Sequence, residues 1–290
     1  MKSYKVSIIG AGTVGTAVGY LLKEKGGYEI SAIAARHMET LEAARLYTGG
    51  FITTDVVEAA SMGNLIFITT SDDQIEKVCE AIAVGGGFKP GDAVFHMSGA
   101  LSNNVLNSSK GAGARIGSIH PMQSFASVDT AIEHLPGSVF GITVDDKGLP
   151  LARQIVETLG GEGVLVRDED KPLYHAAASA VCNYFVTLVR YGEAIYESIG
   201  IPPKTAIKAF LPLLKGTLDN MENYGTAKAL TGPIARGDVG TVRKHLEALE
   251  KRAPESTDLY KLLGRYTVKL AREKGTINPE RAEALIQILE

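Results

Sequence analysis

Three side chains of this 290-residue chain, His120, Lys171 and His175, can hand a proton to a developing alkoxide or steady it with positive charge. Ser98 and Asn183 can orient a small polar molecule beside them. His120 precedes Pro121, which biases it to an extended backbone and gives its ring a fixed aim; a turn-stabilising role would employ it equally well. His175, Ser179 and Asn183 recur every four residues in an otherwise apolar stretch, with Cys182 among them and Arg190 further along. A helix would carry them on one drifting face. Polar groups left unsatisfied in apolar surroundings cost about 1–3 kcal/mol each, so that face either lines a ligand pocket or forms a hydrogen-bonded stripe between packed helices.

Phosphate binding is the second chemistry the chain can do. Lys5–Ile9 is an apolar, β-branched run that ends in Gly10-Ala11-Gly12-Thr13-Val14-Gly15, a G-x-G-x-x-G string that passes directly into a helical pattern from Thr16. Strand, glycine turn and helix form the context of a dinucleotide fingerprint. The first glycine permits the turn, the second admits a pyrophosphate and the third lets helix and strand pack closely. About 20 positions beyond the turn, where NAD-preferring proteins carry an acid, stands Ala35-Arg36-His37. A guanidinium there suits a 2′-phosphate, so NADP is the expected cofactor; a solvated surface charge is the other reading of Arg36. Thr70 and Ser71 end the apolar run Asn64–Thr69 and belong beside the cofactor, although Ser71 with Gln74 is also a helix-start signature. Ser98 follows the strand Ala93–Met97, where it could meet nicotinamide or substrate, whereas His96 inside that strand reads as a core residue.

The elements that must position these residues alternate. Strands at Glu29–Ala34, Phe51–Thr54, Asn64–Thr69, Ala93–Met97, Ile116–Ile119, Ser138–Val144 and Gly163–Arg167 are separated by helical segments, which predicts an α/β fold with a doubly wound, mainly parallel sheet. The alternation stops near Arg167, so residues 1–167 are expected to form a Rossmann NADP-binding domain and residues 168–290 a helical substrate and dimerisation domain. The helix Pro172–Ser198 is mostly apolar all round and should be buried in the second domain or in a subunit interface, favouring a homodimer. Further helices are expected at Pro202–Lys215, Asp238–Lys251, Asp258–Lys274 and Pro279–Leu289, with Asn278 and Asp238 as caps. In the loop Leu230–Asp238, Arg236 is either an anion clamp or a surface charge.

With a formal net charge of -3 and 45% hydrophobic residues, the chain has no electrostatic footprint for nucleic acid or membrane, and the expected partner is a small molecule. Cys79 and Cys182 are expected as reduced thiols, and no zinc spacing occurs. Lys2 and Lys5 ahead of an uncharged run superficially resemble a signal peptide, but the internal glycines favour the nucleotide turn, and a cytoplasmic protein is expected.

Taken in order, Gly10–Gly15, Ser98-Gly99-Ala100-Leu101-Ser102, Gly117–Ala126, Lys171–Ala178 and Leu230–Asp238 resemble the Rossmann-like proteins whose C-terminal part is a domain of unknown function, family 2520. That resemblance implies a Rossmann domain, a helical C-terminal domain and NADP- or coenzyme F420-dependent oxidoreductase activity. More distantly the chain is similar to pyrroline-5-carboxylate reductase and the 6-phosphogluconate dehydrogenase group. Thr231-Gly232-Pro233 stands roughly where the reductase has its substrate loop, but Ile234-Ala235-Arg236 replaces the residues that follow it there. Lys171 is followed four residues later by His175 where the dehydrogenases have asparagine. The expectation is hydride transfer between NADP(H) and a small, anionic carbonyl, hydroxy or imine compound in an interdomain cleft. A non-catalytic NADP(H)-binding regulator or assembly protein, and hydride transfer between NADP and coenzyme F420, are the alternatives.

Overall fold

The computed structural model describes residues 4–290; Lys2, invoked in the signal-peptide comparison, lies outside the described residues. The chain divides into two compact units, Met1–Cys182 and Asn183–Glu290. The expected boundary at residues 167 and 168 falls just ahead of the long helix within which these units meet.

The first unit contains β1 (Tyr4–Ile9), α1 (Thr13–Lys25), β2 (Tyr28–Ala34), α2 (Met38–Thr48), β3 (Phe51–Thr53), α3 (Val56–Ser61), β4 (Leu65–Ile68), α4 (Asp72–Val84), β5 (Ala93–His96), α5 (Asn107–Gly111), β6 (Arg115–Pro121), α6 (Val128–His134), β7 (Val139–Val144), α7 (Leu149–Thr158), β8 (Glu162–Leu165) and the start of α8 (Lys171–Glu197). Its eight strands form one sheet in the order β3-β2-β1-β4-β5-β6-β7-β8. All pairings are parallel except β6 with β7. Strand β4 is apolar and buried along its whole length and β1 is buried from Val6 to Ile9, where the Ser7 hydroxyl donates to the Ala59 carbonyl, as a sheet covered by helices on each side requires. One core lies around Val18, Leu22, Phe67, Phe95 and Phe140, the other around Ile66, Ile68, Ile75 and Val94. The order reverses between β1 and β4, so the crevice for a ligand opens at their carboxyl ends.

The second unit takes the rest of α8, then α9 (Pro203–Tyr224), α10 (Thr226–Ala229), α11 (Val239–Arg252), α12 (Thr257–Lys274) and α13 (Pro279–Leu289). Its core gathers Val242, Leu246, Val268, Ala271, Leu285 and Leu289. Asp238 and Asn278 cap α11 and α13 as expected, accepting from the Thr241 and Arg281 amides. Helix α9 runs on through Pro212 to Tyr224, beyond the expected end at Lys215. No helix among the described residues is long and apolar enough to cross a membrane.

The packing separates two alternatives for α8. Of burial in the second domain or in a subunit interface, the first does not occur: within this chain only Lys171 of the α8 residues is buried. Leu173 is 77% exposed, Val181 76% and Tyr184 68%, so intrachain packing does not account for its apolar composition.

Candidate active site

At the carboxyl end of β1 the glycine turn is built as the fingerprint demands. Gly10 has φ +114°, and a Cβ there would come within 2.6 Å of the Thr69 and Thr70 backbone. Gly15 is closed, since a Cβ there would run into the Gly10 carbonyl oxygen. The Thr69 hydroxyl donates to that same carbonyl at 2.6 Å and ties the turn to β4. Gly12, by contrast, has nothing within 4 Å of its Cβ position. It is also the N-cap of α1, makes no side-chain cap and is followed by no acid in the first turn. The amides of Thr13, Val14 and Gly15 thus form an uncapped, positively poled helix end.

A cleft of about 300 Å³ opens there, lined by Gly10, Ala11, Gly12, Arg36, His37, Thr70, Ser71 and Gln74 among others. Arg36 is exposed, lines the cleft and makes no ion pair among the described residues. The Thr70 hydroxyl is buried and has no hydrogen-bond partner among the described residues. Ser71 precedes α4 but gives it no side-chain cap; the Gln74 amide donates to the Ser71 carbonyl instead. An open glycine cradle, an uncapped helix end, an unpaired guanidinium and an orphaned hydroxyl fit a phosphorylated dinucleotide.

Two strands along, a polar cluster is assembled where α8 begins. Lys171 and Tyr174 lie one turn apart on α8, and Ser118 and His120 lie two apart on β6, so each pair shares a face. The Lys171 ammonium, 2% exposed, donates to the Ser98 carbonyl at 3.0 Å and to the Ser118 hydroxyl. Burial lowers its pKa to about 8, against the pull of Asp168 and Asp72. The His120 Nδ1 is 3.1 Å from the Tyr174 hydroxyl. Gly141 pairs with His120 across β6 and β7, and its missing side chain makes room for Tyr174. The His120 and His175 rings stand edge to face at 5.8 Å. Gly99 lies between them: a Cβ there would come within 2.7 Å of His120 Nε2 and of His175 Cδ2. Burial, helped by His175 and Lys171, lowers the His120 pKa to about 4, so the ring is neutral at ordinary pH.

The structure employs Ser98 otherwise than the sequence suggests. Its hydroxyl donates to Asp72 at 2.7 Å and accepts from the Ala100 and Leu101 amides at 3.2 and 3.1 Å. With its donor and both lone pairs used, it shapes the loop and has nothing left for a ligand. His96 is fully buried and accepts from the Ser98 amide, but its Nε2 has no partner, so it is only half satisfied; burial and the charge of Lys171 lower its pKa to about 3. Asp168 holds the far side of the same loop, accepting from the Ser102 hydroxyl and the Asn103 amide. Asn183 is exposed and opens the second unit, and Arg190 pairs with Glu193 and Glu197 on its own helix. Arg236 is exposed. Among the described residues no group of three or more metal-ligating side chains occurs.

Sequence reasoning missed Asp72, Gly99, Ser118, Tyr174 and Asp168 as parts of this cluster. Tyr174 had a signal, since it adjoins His175 one turn beyond Lys171. Gly99 and Ser118 had none, because their meaning depends on which strands lie side by side.

Two family models match the chain, a Rossmann-like domain over residues 2–121 and a domain of unknown function, DUF2520, over residues 138–267. The chain joins a Rossmann-like domain to a DUF2520 domain. Among solved structures it is similar to protein TM1727 of Thermotoga maritima, at 26% identity over 92% of this chain and 99% of that one, with a TM-score of 0.73. It is also similar to a provisionally assigned NADP oxidoreductase, BF3122, of Bacteroides fragilis, at 22% identity over 94% and 98%, with a TM-score of 0.72. A pyrroline-5-carboxylate reductase of Coxiella burnetii shares the fold at 18% identity over 98% of each chain, with a TM-score of 0.59. No curated protein matches the chain. The histidine cluster draws Gly99, Ser118 and His120 from the Rossmann-like match and Lys171, Tyr174 and His175 from the DUF2520 match.

Proposed function

We propose that this Rossmann-like, DUF2520 protein is an NADP(H)-dependent oxidoreductase acting on a small, anionic carbonyl, hydroxy or imine compound. The observation that carries the reading is the cleft at β1 and β4, where an open Gly12, an uncapped helix end and an unpaired Arg36 converge. The amides of Thr13 to Gly15 receive the pyrophosphate and Arg36 the 2′-phosphate, with Thr70 and Ser71 along the cleft wall. The similar structures support the cofactor and the reaction class, one being assigned as an NADP oxidoreductase and another as the reductase of a cyclic imine carboxylate.

When bound, the nicotinamide supplies or accepts the hydride; the protein supplies position and charge. Chain continuity links the two regions, because Ser71 lines the cleft while the adjacent Asp72 accepts from Ser98, next to Gly99. The two imidazoles that flank Gly99 favour catalysis over binding alone. His175, partly exposed, delivers or removes the proton on the substrate oxygen or nitrogen. His120, neutral, donates a hydrogen bond to that same atom. Lys171 is buried and holds the Ser98 loop against β6, adding positive potential from below.

The α8 surface supports a homodimer. Leu173, Val181, Tyr184 and Val186 are all more than half exposed, and Phe185, Leu188, Phe210 and Leu213 line an apolar groove in the helical unit. Light scattering at micromolar concentration is expected to give twice the chain mass, and a monomer would remove this part of the reading.

The activity is tested by following NADPH oxidation with a panel of small keto acids and cyclic imine carboxylates. Turnover is expected with at least one of them and is expected to fall about 100-fold or more in His175→Gln. Turnover that survives His175→Gln within a few-fold would remove the proposed proton donor.

A further inference from the structure

We propose that Tyr174 is a positioning residue for His120: its hydroxyl donates to Nδ1 and holds the imidazole as the tautomer that carries its proton on Nε2, beside Gly99 and His175. The inference deepens the function proposed above, since it assigns His120 the part of a neutral hydrogen-bond donor to substrate.

Hydrogen-bond accounting at the pair favours this direction. The Tyr174 hydroxyl lies 3.1 Å from His120 Nδ1 with the Gly141 backbone amide beside its oxygen, and no other hydrogen-bond acceptor for its proton stands within reach among the described residues. If the phenol donates, its proton is satisfied and the ring nitrogen accepts. If the imidazole donated instead, the half-buried phenol proton would be left without an acceptor, a loss on the scale of a whole hydrogen bond. Burial pushes the Tyr174 pKa up, so the phenol keeps the proton it must give.

The surroundings then fix where the other nitrogen points. The Tyr174 and His120 rings meet edge to face at 5.6 Å, and the phenol occupies the space left by Gly141 on the strand paired with β6. With Nδ1 engaged, the Nε2 edge of the ring is the one presented toward Gly99. The ionisable groups around His120 are Tyr174, His175 and Lys171 from α8 and His96 from β5. None is a carboxylate in contact with the ring, so nothing there pulls it toward the imidazolium. A neutral imidazole whose other nitrogen is engaged is a competent electrophile for a developing oxyanion.

The test uses the full-length protein with isotope-labelled histidines, followed by nitrogen NMR, with His120 assigned from the His120→Gln variant. The expected wild-type spectrum shows His120 protonated on Nε2 and bare on Nδ1 throughout the neutral range, with titration only in acid. Tyr174→Phe keeps the ring on Gly141 and so preserves the fold; it is expected to mix the two tautomers and, once a substrate is in hand, to lower kcat about tenfold while KM and NADPH affinity stay within about twofold. Wild-type His120 protonated on Nδ1, or titrating in the neutral range, overturns the proposal whether or not the variant folds. An unchanged tautomer in folded Tyr174→Phe also overturns it. These spectra need no turnover and no nucleotide, so the proposed function can fail while the tautomer assignment stands.

Discussion

The cleft at the glycine turn and the histidine cluster sit at carboxyl ends of strands of one sheet, yet they treat polar atoms in opposite ways. In the cleft, Arg36 is unpaired, Thr70 is unsatisfied and Gly12 faces empty space. In the cluster, the ammonium of Lys171 and all the polar atoms of Ser98 are taken up within the protein. An unsatisfied polar group costs stability until a ligand meets it, whereas a satisfied one stiffens what it holds. The cleft therefore has the character of a binding surface and the cluster that of a frame, with Gly99, His120 and His175 as what the frame presents.

Substitutions can break that contrast. The largest effect is expected from Gly10→Ala, which places a methyl group 2.6 Å from backbone atoms at a φ of +114°. It should cost at least about 2 kcal/mol in denaturant unfolding and abolish nucleotide binding. Wild-type stability in that variant would mean that the turn is looser than described. Next comes Gly99→Ala, whose added methyl must move His120 or His175 but touches no part of the cleft. Turnover is expected to fall about 100-fold with NADPH affinity within about twofold. If nucleotide affinity fell with it, the two regions would not be separable.

A smaller effect is expected from acid. His96 and His120 have pKa values near 3 and 4 in the folded chain against about 6.5 when unfolded, so below about pH 6.5 the unfolded chain takes up protons that the native one refuses. Stability is complete above that range and falls as pH drops toward 4, by up to about 2 kcal/mol per histidine at about pH 5. Unfolding curves at about pH 7 and pH 5, with His120→Gln alongside, should show the decline shrinking in the variant.

How much of this could be read in the sequence follows from how local each feature is. The glycine turn is a contiguous string between a strand and a helix, and Arg36 ends the next strand, so the cleft was legible residue by residue. The alternation of apolar runs and helical segments likewise gave the doubly wound sheet. Ser98 was legible as a residue at a strand end but not in its role, because Asp72, which accepts its hydrogen bond, comes from the start of α4 beyond the neighbouring strand. Gly99 and Gly141 matter only for the rings packed on them, and no periodicity encodes that. The bounds of helix α8 are legible to within a residue at each end, but its apolar composition does not say whether its own chain or a subunit interface covers it, and within the chain it is exposed.

The most direct measurement is a titration of the purified protein with NADPH and NADH, followed by nicotinamide fluorescence, for the wild type and Arg36→Ala. The account predicts that NADPH binds more tightly than NADH, and that Arg36→Ala loses about 10- to 100-fold in NADPH affinity with NADH unaffected, the worth of a charge-assisted contact to phosphate. If neither nucleotide binds, or if the variant binds NADPH as well as the wild type does, the central claim is contradicted.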